Sequence, residues 1–238
     1  MIADQIYEIM LEDDIALRMK FGLPITKFPD MDYETARLKA EQSKKFIKKI
    51  DAVDRKKISH TDDLTLSMMR QHLQTRVDGL PHYWNGFSIT PYMFGFQGRG
   101  MRQVFLTYQF DDQYDQDIYL SLMDEYADHL NQQHEKLKGQ DDRGIRLPKP
   151  ELPLVMSLLD QYKTGMDAAF IPKDNRLSFF DDNARDAFTS SIKKKLDAEV
   201  LPALLKLIDF LNSDYQMRMP DNVGAYQYPG GEDYYNYM

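Results

Sequence analysis

From Phe188 to Tyr215 the apolar residues Phe188, Ile192, Leu196, Val200, Leu204, Leu207, Ile208, Leu211 and Tyr215 recur at steps of three and four. Only an α-helix turns that spacing into one continuous apolar stripe, and a stripe of that length has to be covered by other helices. Each side chain, if fully buried, contributes roughly 1.5–3 kcal/mol, so this segment can anchor a core. Pro202 interrupts it. Proline lacks an amide proton and clashes with the preceding turn, so the stretch is either one kinked helix or two helices meeting at Leu201. The stripe keeps its phase across the proline, which favours the kinked helix.

Upstream, the same reasoning yields five more helices. Ile2, Ile6, Ile9, Met10 and Leu17 mark a helix from about Asp4 to Lys20, closed by Gly22 and Pro24. Asp32 reads as the N-cap of a second, with Ala36, Ala40, Ile47 and Ile50 inward and Lys44, Lys45, Lys48 and Lys49 in water. Ser59 and Thr61 open a third, carrying Leu66, Met69, Leu73 and Val77 to its end at Gly79 and Pro81. Asp111-Asp112 precede a fourth, with Ile118, Leu122, Tyr126, Leu130, Gln133 and Leu137 on one face and Gly139–Gly144 after it. Pro148-Lys149-Pro150 lead into a fifth with Leu152, Val155, Leu159, Tyr162 and Met166. Asp181-Asp182-Asn183 cap the long sixth. The expectation is one all-α, multi-helix bundle over residues 1–238, with at least six helices and one long aromatic, glycine-rich loop.

That loop is His82–Gly100. Its nineteen positions hold the chain's only tryptophan, two tyrosines, three phenylalanines, four glycines and a proline. No helical period runs through it, although TPYMF or VFLTYQF has the composition of a short strand. It reads either as a plug over the end of the bundle or as the wall of a groove for an extended, peptide-like ligand. Tyr83, Trp84, Asn85, Phe87 and Tyr92 are the candidate contacts there. The tail repeats the theme: Pro229-Gly230-Gly231 turns the chain, Glu232 and Asp233 favour a helix start, and Tyr234, Tyr235, Tyr237 and Met238 follow. Tyr234 and Tyr235 join the candidate contacts. A two-turn helix at a chain end is poorly stable by itself, so the tail reads as a frayed terminus or as the front part of something longer.

Composition narrows the function classes. A net charge of −8 repels phosphate backbones and argues against nucleic acid. With no cysteine, thiol catalysis, thiolate metal sites and disulfides are excluded, and a reducing cytoplasm is the natural compartment. The acidic N-terminus is no secretory signal, and no apolar run is long enough to span a membrane.

A search for an active site finds none. His134-Glu135 begins a helical zinc motif, but the fifth position is Lys138 rather than histidine. His129 and His134 are five apart, about 140° around a helix, and do not share a face. The acidic pairs Asp13-Asp14, Asp62-Asp63 and Asp111-Asp112 fall at helix starts and read as caps. Gly95-Phe96-Gln97-Gly98-Arg99-Gly100 does not have the order of a dinucleotide-binding fingerprint.

Four segments taken in order carry a resemblance. They are Thr61-Asp62-Asp63-Leu64-Thr65 running to Met68-Met69-Arg70-Gln71-His72-Leu73; Gly144-Ile145-Arg146-Leu147-Pro148-Lys149-Pro150; Glu199-Val200-Leu201-Pro202-Ala203 with the helix through Phe210-Leu211; and Val223-Gly224 followed by Pro229-Gly230-Gly231-Glu232-Asp233-Tyr234-Tyr235. Over nearly its whole length the chain resembles the front half of the bacterial family known as domain of unknown function 885. The resemblance implies a zinc metallopeptidase of the thimet-oligopeptidase-like, gluzincin type. In that family the zinc-binding histidine–glutamate motif and the later glutamate lie beyond the Pro-Gly-Gly-Tyr-Tyr segment. No catalytic or metal residue therefore carries over, and zinc is implied only for an intact relative. What the resemblance implies here is a non-catalytic N-terminal helical half forming one wall of a peptide cleft, partnered by a C-terminal catalytic region or by another copy. A free-standing binding module for an extended ligand and a purely structural helical protein remain the alternatives.

Overall fold

Apolar spacing and capping together decide where each helix begins. The computed structural model describes residues 2–112, 114–178 and 180–238, with the backbone alone at 93–97. The helices are α1 (Ile2–Asp13), α2 (Ile15–Lys20), α3 (Tyr33–Asp51), α4 (His60–Gly79), α5 (Met93–Thr107), α6 (Asp115–Asp141), α7 (Leu152–Thr164), α8 (Met166–Phe170), α9 (Asp182–Lys195), α10 (Leu201–Leu211), α11 (Tyr215–Arg218) and α12 (Gly231–Tyr237). Short 3₁₀ turns join several of them, and no strand occurs among the described residues. The fold is all-α, and among the described residues no helix is long and apolar enough to cross a membrane.

Several starts follow from single side chains. The Asp32 carboxylate accepts the Thr35 amide at 2.9 Å, and Ser59 Oγ accepts the Asp62 amide at 3.1 Å. Asp14 divides the expected first helix in two, because its carboxylate accepts the Leu17 amide at 2.8 Å and restarts the helix as α2. Asp111-Asp112 act differently from the expected caps. Their own amides donate to the carboxylate of Asp115, at 2.6 and 2.9 Å, and Asp112 in turn accepts the Tyr114 amide at 2.7 Å, so the pair shapes the approach to α6 while, among the described residues, no side chain caps its first amides.

The stripe from Phe188 to Leu211 forms one continuous helical run, while Tyr215, its expected last member, falls in the separate α11 after a turn. α9 passes into α10 through a π-helical turn at Leu196–Val200, immediately ahead of Pro202. The wider turn accommodates the proline's missing donor without breaking the run. Phe188, Ile192, Leu196, Val200, Leu204, Leu207 and Leu211 are all buried, and they pack chiefly against α6.

The aromatic stretch divides where a single loop was expected. Residues 83–92 form successive turns, but 93–107 is helix. Three glycines in the first half of α5, each about 1 kcal/mol worse than alanine, hide it in the sequence. Packing overrides them: Met101, Val104 and Phe105 are buried, and a Cβ on Gly98 would lie 2.8 Å from the Tyr162 ring.

Buried side chains fall into two clusters. A small one, Ile6, Ile47, Ile50, Leu66 and Leu73, joins α1, α3 and α4. The larger one is built on α5 to α10, with Tyr119, Tyr126, Phe105 and Phe170 in edge-on and tilted contact at its centre. The loop between α2 and α3 ties the two together. Met31 N donates to Gln132 Oε1 at 2.7 Å, and the Asp30 carboxylate accepts Gln132 Nε2 at 2.8 Å.

Candidate cleft between the two clusters

Where the clusters fail to meet, a cleft of about 1180 Å³ opens. Its walls come from the α1–α2 junction (Asp13, Asp14), α3 (Lys39), the end of α4 (Arg76, Gly79), the turns at 83–88, α5 (Arg99, Met101), α6 (His129, Lys136) and Tyr234 of α12. A second cavity of about 350 Å³ lies alongside and shares Tyr83 and Lys136 with the first.

Three of the sequence-predicted contacts meet in the large cleft: Tyr83, Phe87 and Tyr234. Tyr83 is fixed by its hydroxyl, which donates to the Met31 carbonyl at 2.7 Å, and by edge-on contact with Trp84 and Tyr33. Burial pushes its phenol up to about 12, so it stays a neutral donor. Phe87 sets its ring edge-on to Tyr228, and Tyr234 lies 5.9 Å from the His82 ring.

The remaining four candidates sit elsewhere. Trp84 faces the smaller cavity, stacked on Tyr33 and crossed by the Arg143 guanidinium at 4.0 Å. Its ring lies so close over α6 that a Cβ on Gly139 would meet it at 2.4 Å. Asn85 holds the tail, its side-chain amide donating to the Pro229 carbonyl at 2.9 Å. Tyr92 and Tyr235 point to solvent, 85% and 68% exposed.

The tail is docked rather than loose. Tyr237 stacks on His82, donates to the Thr75 carbonyl at 3.0 Å and covers Gly79. Tyr235 and Met238 remain exposed beside it.

Two polar features of the cleft escaped the sequence reading. The first is a buried relay from Ser88 Oγ, donating to Gln133 Oε1 at 2.5 Å, to Gln133 Nε2, which faces His129 Nε2 at 3.2 Å. An amide nitrogen can only donate, so His129 Nε2 is the acceptor and the ring is neutral, with its buried Nδ1 meeting no hydrogen-bond partner among the described residues. Burial is the main cause that lowers this histidine to about 4.

The second is Lys136. Its ammonium stands 4.4 Å over the Tyr83 ring, and no carboxylate lies within ion-pair distance among the described residues. The other charges of the cleft are engaged: Asp13 holds both Lys39 and Arg76 at 2.8 Å, and Asp30 holds Lys27 at 2.9 Å. Burial lowers Lys136 to about 8. A spacing of seven puts His129 and Lys136 on one face of α6, and that was the available signal.

The histidines do not form a zinc site. His129 is committed to Gln133, while His134 pairs with Glu135 at 3.0 Å and sets its ring edge-on to Phe210. Glu135 is in turn held by Lys206. Among the described residues no group of three histidines or carboxylates is placed to hold a metal ion, so the zinc ligands implied by the resemblance are not supplied by them.

Fold and cleft together define an all-α protein with a tyrosine-walled cleft between two helical clusters. The model of the family described as bacterial protein of unknown function (DUF885) matches residues 17–238, and the chain belongs to that family. No curated protein matches the chain.

Proposed function

We propose that this chain is the substrate-holding, non-catalytic part of a zinc-dependent peptidase, and that the cleft receives an extended peptide. The observation that carries this reading is the convergence of Tyr83, Phe87 and Tyr234, from two separate segments, on one large open cleft. Aromatic walls with fixed polar tips hold a flexible chain without ordering many side chains of their own. The peptidase part rests on the family resemblance, with the zinc motif on a following segment or partner.

Trp84 is the only tryptophan and sits against Tyr83, so its emission reports on the site. Titration with short unstructured peptides should give a saturable change in emission. Tyr234→Ala should weaken it several-fold, whereas Met217→Ala, at an exposed position away from the cleft lining, should not. Zinc-dependent hydrolysis by this chain alone would overturn the non-catalytic assignment. Coding sequence continuing in frame past Met238 to His-Glu-x-x-His would support the peptidase reading, and a stop codon there would count against it.

The docked tail favours a second reading, a self-contained binding module, because α12 is held by Asn85, His82 and Thr75 of this same chain. That reading expects the same peptide binding with no zinc-bearing continuation.

A further inference from the structure

We propose that the cleft contains a carboxylate-binding subsite centred on Lys136 and the ring of Tyr83, so that its preferred ligands are peptides bringing either a free C-terminus or an acidic side chain. The inference rests on the peptide reading above and adds a chemical class to it.

The geometry carries the argument. Lys136 leaves the buried face of α6 and lines both cavities, at the partition between them that it forms with Tyr83. Its nearest charged-group contact is an aromatic face rather than a carboxylate. An ammonium on a ring retains part of its lost hydration, but far less than a counter-ion gives. The acids that share the cleft are already bound: Asp13 by Lys39 and Arg76, Asp30 by Lys27 and Gln132, and Asp14 by the Leu17 amide. On the smaller cavity, Asp32 is taken up as an N-cap and Glu135 by His134 and Lys206, while Asp128, the third acid of its lining, makes no ion pair with Lys136. None of these neutralises Lys136. Burial alone accounts for its lowered basicity, with no acidic neighbour opposing it. A half-buried cation with no counter-ion, facing an open cavity, gains most from a ligand that supplies one.

The test uses the whole chain at neutral pH and four versions of one peptide: free C-terminus without acidic residues, the same sequence amidated, amidated with one internal glutamate, and amidated with glutamine there. Sodium butyrate serves as a carboxylate without a peptide. Trp84 emission reads binding, and NMR of the lysine side chains reads the titration of Lys136. The expected result is at least tenfold tighter binding of a carboxylate-bearing peptide than of its amidated or glutamine counterpart. The two carboxylate versions distinguish a C-terminal ligand from a side-chain one. Lys136→Met should abolish the difference, Lys136→Arg should keep most of it, and butyrate should raise the titration point of Lys136. Circular dichroism checks that both variants fold.

If all four peptides bind equally and butyrate leaves Lys136 unmoved, the subsite is wrong while the peptide cleft stands. If butyrate moves Lys136 but no peptide binds, the subsite stands and the peptide reading falls. Silence in every arm overturns both.

Discussion

A buried neutral histidine makes folding stability depend on pH, and His129 is such a residue. It titrates near 4 in the fold, against 6.5 when exposed. Between those values the unfolded chain binds a proton that the native chain refuses, so stability falls as pH drops from about 6.5 toward 4. At about 1.4 kcal/mol per unit, the loss approaches 3 kcal/mol by the lower end. Urea midpoints at neutral pH and near pH 4.5 should differ for the native sequence. His129→Gln should show a flatter dependence, because an amide occupies the site without titrating. An unchanged slope in the variant would move the acid sensitivity elsewhere. His129 was legible only as a histidine on a helix. That its Nε2 would accept from Gln133, four residues on, depended on Ser88 arriving from a distant turn to orient that amide.

At the scale of elements, α12 shows how a helix too short to persist alone is held in place. Seven residues cannot offset the cost of helix nucleation in water, so its order comes from docking. Gly230 adopts the left-handed conformation at φ 69° that turns the chain into the helix. Gly231 then presses so tightly on residue 225 that a Cβ would lie 1.7 Å from the Ala225 carbonyl oxygen. No side-chain adjustment relieves a clash with backbone. Gly231→Ala should therefore lift the tail away from Gly79 and His82, and chymotrypsin should cut rapidly at Tyr234 or Tyr237 while the rest of the chain resists. Equal cleavage rates for variant and native protein would show that α12 is not held by this contact. The start of α12 was readable from Pro229-Gly230-Gly231 followed by two acids, as were the N-caps Asp32, Ser59 and Asp181, because each is a local contest between backbone and neighbouring side chain. α5 was not readable, because its glycines oppose a helix locally and the burial of Met101, Val104 and Phe105 that favours one is supplied by other elements.

Across the whole molecule, the two clusters differ in size and share few ties, and this sets the order in which the protein opens. The cluster of α1, α3 and α4 rests on five buried side chains among the described residues, with partly exposed neighbours such as Met69 and Val77 around it. The larger cluster interlocks α5 to α10 around a contiguous group of aromatic rings. Backbone and side-chain entropy rise with every ordered residue, so the region with less buried apolar area per residue has the lower free energy of local opening. The ties across the cleft do not reverse this. Gln132 to Asp30 and Met31, Tyr83 to Met31 and Tyr237 to Thr75 are single hydrogen bonds, each worth roughly 0.5–1.5 kcal/mol net, and the contacts of the Tyr33 ring with Tyr83 and Trp84 add roughly as much again per pair. Native-state hydrogen exchange in low denaturant should therefore release the amides of α3 and α4 together, in one sub-global step, before those of α6 and α10. Because the cleft is bounded on one side by α3 and α4, a ligand bound across it should slow that first step and leave exchange in α10 nearly unchanged. Simultaneous release of all four helices would mean that the clusters open as one unit and that the cleft is rigid.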